Sequence, residues 1–203
     1  MPITAIVLFV SFALLGFGWR SWRQRRRTGS TGFRGISGRP LSLEWFAGVG
    51  FIVAMGAAVV APALQLAGVV APLAPFDRPW LNIAGIVIAV LGIIATLYAQ
   101  FDMGDSWRIG VDAGETTTLV RSGVFGWVRN PIFTAMLIFG LGIALITPNV
   151  VAVVGFVLLI ATIEAQVRVV EEPYLLATHG DAYRDYLATV GRFVPYVGRV
   201  SVR

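Results

Sequence analysis

At 203 residues the chain is of a length for one domain. With 57% hydrophobic and only 13% charged residues, against about 25% charge in soluble domains, it is a membrane protein by composition. It has no Cys and a single His, His179, which excludes a disulfide framework, a cysteine nucleophile and thiolate or multi-histidine metal sites; all 16 basic residues are Arg, which excludes Schiff-base lysine chemistry.

Four apolar stretches read as membrane-spanning: Ile3–Trp19, Trp45–Ala71, Trp80–Gln100 and Ile132–Ala165. The last exceeds one span of about 20 residues. Pro148-Asn149 divides it near its middle, which predicts a tight helical hairpin. The expected fold is therefore an all-α integral membrane protein of about five transmembrane helices, the first arm of the hairpin being short for a full crossing. The first segment does not read as a cleavable signal peptide, because its positive charges follow the apolar run. Arginines crowd the segment 20–39, the segment 101–131 and the tail after the hairpin, and only Arg78 lies on the other side. This bias predicts an N-terminus outside the cell membrane and a cytoplasmic C-terminus. The run Arg23–Arg27 reads as a topology anchor touching anionic lipid, and no nucleic-acid partner is expected despite a net charge of +5. Residues 28–39 lack apolar periodicity and read as a loop. Two halves follow: residues 1–100 with three helices and the Arg-rich loop 20–40, and residues 101–203 with a polar segment (101–131), the hairpin (132–172) and a cytoplasmic tail (173–203).

The segment 101–131 stops looking lipid-facing. Phe101–Arg108 carries polar groups directly after the third span, and Asp112–Thr118 favours irregular or extended backbone. Pro131 marks the start of the next helix. One reading of this segment is an ordinary loop whose Trp107, Phe125 and Trp127 anchor it at the headgroups. The far end of the hairpin favours a site. Glu164, Arg168 and Glu172 are spaced to lie along one helix face, with Glu171 beside it, and an ionisable Glu164 in or near the bilayer has to face protein or water. Pro173 is expected to break the helix after the acidic pair. Tyr174–His179 and Asp181–Val190 read as short helices divided at Gly180, with Asp181 as N-cap and Tyr183, Tyr186 and Leu187 on one apolar face folded over the site. Because the clusters flank a hairpin, they must meet at one side of the membrane.

In this order, Leu119-Val120, Gly123-Val124-Phe125, Arg129-Asn130-Pro131-Ile132-Phe133, Arg168 with Glu171-Glu172, and Gly180-x-x-Tyr183-x-x-Tyr186 followed by Arg192-Phe193-Val194-Pro195 resemble the isoprenylcysteine carboxyl methyltransferase family of integral membrane methyltransferases, more distantly related to phospholipid methyltransferases. The resemblance covers roughly Thr117 to Pro195. It implies an S-adenosylmethionine-dependent methyltransferase that yields S-adenosylhomocysteine and takes a lipophilic or lipidated acceptor, such as a prenylcysteine-like carboxylate or another small hydrophobic acid. It implies a cofactor pocket lined by Thr117, Thr118, Leu119, Val120, Phe125, Asn130, Pro131, Ile132 and Phe133, with Glu172 on the cofactor and Arg168 on the substrate side. The chemistry of the cofactor suits these residues. Glu172 and Glu171 can pair with its ammonium, Arg129 with its carboxylate, and aromatic faces with its sulfonium. Glu164 joins Arg168 on the acceptor side, where Arg168 orients the acceptor's anionic group. A carboxylate acceptor needs no general base and no metal, which fits a chain this poor in His and Cys. Two positions depart from the family motif, where Asn130 stands for a His and Phe133 for a Tyr; Phe133 keeps the ring without its hydroxyl. An NADPH-dependent membrane reductase of the sterol-reductase type and a non-enzymatic membrane transporter or scaffold are the alternatives. The Glu171-Glu172 pair favours a cationic cofactor over the first, and the second would bind no adenosyl ligand.

Overall fold

The computed structural model describes residues 1–33, 35–107 and 118–200, with Asp105 described by its backbone alone. Thr117, Arg34, Arg108, Arg203 and most of the stretch expected to be irregular at 112–118 lie outside the described residues. Six helices account for most of the rest: α1 (Pro2–Thr28), α2 (Leu43–Leu66), α3 (Pro79–Met103), α4 (Pro131–Ile146), α5 (Val150–His179) and α6 (Asp181–Thr189). By length and composition α1, α2, α3 and α5 can each cross a membrane. Helix α4, at 16 residues, rises about 24 Å and falls short of a hydrocarbon core of about 30 Å. Large apolar side chains such as Val53, Val87, Ile94 and Val154 stand more than half exposed on the outer faces, as lipid-facing positions do. The molecule is a multi-pass, all-helical membrane protein with the expected hairpin.

Local chemistry explains the boundaries. Ser42 caps α2 by accepting from Trp45 N at 3.3 Å, and prolines occupy the first turns of α1, α3 and α4. Asn149 turns the hairpin. Fully buried, it accepts from Ala152 N at 3.0 Å to cap α5 and donates to Ala61 O (3.1 Å) and Gln65 Oε1 (2.9 Å) of α2.

Three sequence expectations are corrected. Helix α1 does not stop at Trp19 but runs to Thr28, with the arginine run as its last turns, and it ends at Gly29, whose φ of 80° suits a left-handed cap. Arginine is a good helix former and its charge suits a helix C-terminus, so the polar run prolongs the helix beyond the apolar span. Pro173 does not break α5 after the acidic pair. A π-helical stretch, Gln166–Glu171, precedes it, and the helix continues to His179. The wider turn re-registers the hydrogen bonds where the proline has no N–H to give. Asp181 is not the N-cap of α6: Gly180 holds that place at φ 53°, and Asp181 pairs with Arg184.

The helices share one core. Phe12 of α1 stacks on Phe139 of α4 with ring centroids 4.2 Å apart, and Ile93, Ile143 and Ile163 pack around them. Where α3 meets α4, glycines bring the backbones together: a Cβ added to Gly92 would lie 2.6 Å from Phe139 N, and one on Gly85 2.8 Å from Gly142 O. Helix α2 approaches α5 likewise, a Cβ on Gly155 falling 2.6 Å from that of Ala57. Lipid tails are as apolar as leucine, so such close van der Waals contact is what holds membrane helices together.

Candidate functional site

The bundle opens a cavity of about 310 Å³ at its arginine-rich end. Its polar wall starts with Thr118, Leu119 and Val120 and continues through Phe125 and the first turn of α4. The turn Gly123–Gly126 is pinned to α3 by Asp102 Oδ2, which accepts from Val124 N at 2.8 Å. Helix α6 closes over it: Tyr183, Tyr186 and Leu187 are buried against Leu119, Leu175 and Leu176, and Tyr186 donates its hydroxyl proton to Phe125 O at 2.5 Å. Residues 191–193 then run beside 128–130, with Arg129 N donating to Gly191 O (2.8 Å) and Asn130 N to Arg192 O (3.1 Å). The Asn130 amide adds a second bond to Arg192 O at 3.2 Å, and Thr134 Oγ1 donates to Phe193 O at 2.9 Å. The tail is thereby sewn to the start of α4. The opposite, apolar wall comes from Phe17 of α1, Phe51 of α2 and Met136 of α4.

Of the residues singled out in the sequence, Thr118, Leu119, Val120, Phe125, Arg129, Asn130, Pro131, Ile132, Phe133 and Glu171 line this cavity. Glu172, Arg168 and Glu164 do not. Both oxygens of Glu172 meet arginines instead: Oε1 accepts from Arg129 Nη2 at 2.9 Å and from Arg192 Nε at 2.7 Å, and Oε2 from Arg192 Nη2 at 3.0 Å. Arg129, expected to pair with a ligand carboxylate, lines the cavity but is already engaged. Its side chain is 1% exposed, and its terminal nitrogens serve Glu172 and the carbonyls of Leu187, Val190 and Gly198. The single helix face expected for Glu164, Arg168 and Glu172 is broken at the π-helical stretch, after which Glu172 meets the arginines. Among the described residues Arg168 pairs with Glu164 alone, at 2.5 Å and with side chains 56% and 38% exposed, an arrangement worth about 0–1 kcal/mol. The three aromatics read as anchors also part company. Trp127 is exposed, whereas Phe125 is buried and Trp107, 2% exposed, lies under the Arg20 guanidinium at 4.6 Å. Gln100 and Trp107 belong to the wall; Trp107 was expected only as a headgroup anchor and Gln100 was not singled out, an amide in an apolar span being its available signal.

Electrostatically the lid is set to stay neutral while the ion cluster stays charged. Burial pushes Tyr186 up to about 12 from 10.0. Burial first, and then the Glu172 charge, raises Tyr183. The bond to Glu172 raises Arg192. A phenol whose folded-state value is raised stabilises the fold fully below its unfolded value and loses that contribution as pH climbs through the folded one. The melting temperature of the purified protein should therefore hold up to pH 10.0 and fall between there and about 12. Tyr186→Phe should flatten part of that fall; an unchanged alkaline slope in the variant would contradict this role for the lid.

Comparison with known proteins agrees with the fold. The family model for phospholipid methyltransferase matches residues 80–182. Protein-S-isoprenylcysteine O-methyltransferases of Rattus norvegicus and Homo sapiens are each 26% identical over 125 residues, covering 61% of this chain and 44% of theirs. The chain thus spans under half the length of these relatives. A solved structure of a eukaryotic intramembrane Ras methyltransferase, isoprenylcysteine carboxyl methyltransferase, superimposes with a TM-score of 0.62 at 20% identity, over 98% of this chain and 70% of that one; at this identity the likeness concerns the fold. With the matched half running from α3 to the start of α6 around the cavity, the chain belongs to the phospholipid methyltransferase family, among members similar to isoprenylcysteine carboxyl methyltransferases.

Proposed function

We propose that the protein transfers a methyl group from S-adenosylmethionine to the carboxylate of a lipophilic acceptor, prenylcysteine-like or another hydrophobic acid, at the cytoplasmic face of the cell membrane. The observation that carries this reading is the cavity itself. One continuous space joins a polar, aromatic wall bearing the Glu171 carboxylate to an apolar wall of Phe17, Phe51 and Met136. The names of the relatives support the reaction class. With every described arginine except Arg78 at the cavity's end, the positive-inside bias makes that end cytoplasmic and the N-terminus external.

The residues fit the cofactor. Of the lining residues, Glu171 would meet its ammonium, Phe125 and the Trp107 ring would offer faces to its sulfonium, and Thr118–Val120 with Asn130–Phe133 would enclose its adenosyl part. When bound, S-adenosylmethionine supplies the methyl: an O–CH₃ bond forms at the acceptor as the S–CH₃ electron pair returns to sulfur. The chain's part is alignment and dryness, since the displacement consumes charge and needs no proton transfer. Residues 101–203 furnish this machinery, while α1 and α2 close the apolar side. Glu172, with Arg129 and Arg192, holds the tail in place and acts on the cofactor through that framework. Arg168 stands three residues before Glu171, held by Glu164. The acceptor's carboxylate, arriving from the bilayer, displaces Glu164 at little cost because the pair is exposed.

Calorimetric titration of the detergent-purified protein with S-adenosylhomocysteine tests the reading, with NADPH as contrast. Wild type should bind the former. Glu171→Gln should weaken binding about 10- to 100-fold, the range expected for losing a hydrogen bond to a charged group. Arg168→Ala should leave that affinity unchanged and lower turnover. Binding of NADPH alone would favour the reductase; binding of neither by folded protein would favour a transporter or scaffold.

A further inference from the structure

The last turns of α1 set arginines on aromatic rings, in an arrangement that the cavity does not use. The Arg23 guanidinium stands 5.5 Å from the centroid of the Trp19 ring and 4.8 Å from that of Phe101, and Arg26 stands 4.7 Å from that of Trp22. Trp19 and Phe101 meet edge to face at 5.6 Å, so Arg23 rests on rings from two helices, α1 and α3. All three rings are open to the surroundings, between 37% and 53% exposed. A guanidinium laid on an aromatic face keeps its N–H edge, which suits paired oxygens of an oxyanion. The chain supplies no such anion there. Among the described residues Arg23 and Arg26 form no ion pair. Seven arginines lie between residues 20 and 39, and the first acidic residue of the chain is Glu44.

Depth along the helix points to the same partner. A hydrocarbon core takes about 20 helical residues, so counting from Pro2 puts Trp22 at its far border, where indoles settle. Arg23 and Arg26 follow within about 6 Å of rise, inside a headgroup layer about 5–7 Å deep. Below Phe101, Tyr98, Ile94 and Leu91 form an exposed apolar stripe on α3. The joint of α1 and α3 is braced behind these rings: Arg20 donates to Gln100 O at 3.4 Å and Gly104 O at 2.5 Å, and Gln100 Nε2 to Gly16 O at 2.9 Å.

We propose that Trp19, Trp22, Arg23, Arg26 and Phe101 form a headgroup site for one anionic phospholipid. Its phosphodiester lies across the two guanidinium groups, and its acyl chains follow the stripe on α3. The headgroup carries no cation of its own. Trp19, Trp22 and Phe101 already hold a guanidinium, so a choline or ethanolamine brought to them is repelled. The site is independent of the methyl-transfer chemistry. It fastens α1 to α3 beside Gln100, at the rim of the cavity.

Native mass spectrometry of the full-length protein in an uncharged detergent reads this directly, with palmitoyl-oleoyl phosphatidylglycerol and palmitoyl-oleoyl phosphatidylcholine titrated separately. Wild type should bind its first phosphatidylglycerol at least about tenfold more tightly than phosphatidylcholine, since each arginine near an anionic surface contributes roughly fivefold. Arg23→Gln and Arg26→Gln should each remove about fivefold of that preference. Phe101→Leu, which takes a ring from Arg23 without changing the charge, should remove part of it. Arg25→Gln, about 100° round the helix from Arg26, should keep it. Equal affinities for the two lipids in wild type, or an undiminished preference in Arg23→Gln and Arg26→Gln, would overturn the proposal. An equal loss in Arg25→Gln would also overturn it, by showing a diffuse positive field in place of a site. Displacement of the lipid by inorganic phosphate at the same concentration would make the ligand a free phosphate and overturn it too. The wild-type comparison stands even if a variant fails to fold.

Discussion

Glu172→Ala should lower the stability of the protein by about 3–5 kcal/mol, the cost of leaving buried charge without its partner. Three side chains are involved, Arg129 at 1%, Arg192 at 9% and Glu172 at 15% exposure, and the carboxylate is the only anion between the two guanidinium groups among the described residues. Without it two cations face each other in a partly dry space. The loss extends to the tail, because Arg129 also holds the carbonyls of Leu187, Val190 and Gly198 and Arg192 carries the strand-like pairing to Asn130. In a chain of this size the melting temperature should fall by roughly 6–20 °C, and S-adenosylhomocysteine binding should fall with it as α6 and residues 191–198 lose their attachment. Glu171→Gln, in the cavity wall, should lower binding more than it lowers the melting temperature. If Glu172→Ala melts like wild type, the cluster does not hold the tail, and a direct contact of Glu172 with the cofactor regains ground.

Gly92→Leu should part α3 from α4. Even the first atom of the new side chain would lie 2.6–2.8 Å from Phe139 N, Cα and Cβ, and two of these are backbone that no rotamer change can move. Overpacking of this kind costs about 1–3 kcal/mol and can exceed that where the backbone itself must shift. Phe139 is also the partner on which Phe12 stacks, so the disturbance reaches α1 and the apolar wall of the cavity. Gly56→Leu is the matched control. It adds the same side chain to a spanning helix at a position with nothing within 4 Å, and should melt within about 1 °C of wild type, the small effect typical of unconstrained surface positions. Size-exclusion profiles and thermal melts in detergent read the difference. Equal melts for the two variants would mean that the close approach of α3 and α4 is not what holds the bundle.

Several features were written locally enough to be legible in the sequence. The hairpin followed from an apolar run too long for one span and from Pro148-Asn149, because a turn residue and its caps are neighbours in the chain. The grouping of Asn130 to Phe133 came from the family resemblance, and it fits the local geometry: Pro131 starts α4, and its first turn exposes consecutive residues to one space. Tyr183, Tyr186 and Leu187 fall on one face of a short regular helix, and that face is the one buried.

What only the tertiary structure decided is which acidic neighbour faces the cavity, and which polar groups are spent on the protein itself. A face assigned by helical period assumes a constant turn, and the π-helical stretch Gln166–Glu171 breaks it, sending Glu172 to the arginines and leaving Glu171 on the wall. Arg129 and Glu172 are 43 residues apart, and Gln100 and Gly16 84 apart. Nothing in the residues around either partner encodes such a pairing, since it exists only once glycine-lined helices have closed on one another. Composition, span length and arginine bias determined by themselves that this chain is a membrane helical bundle with its polar segments gathered at one end. The packing of that bundle determined which of those polar groups remain available for chemistry, because a buried charge or amide takes whichever partner the fold brings within hydrogen-bond reach.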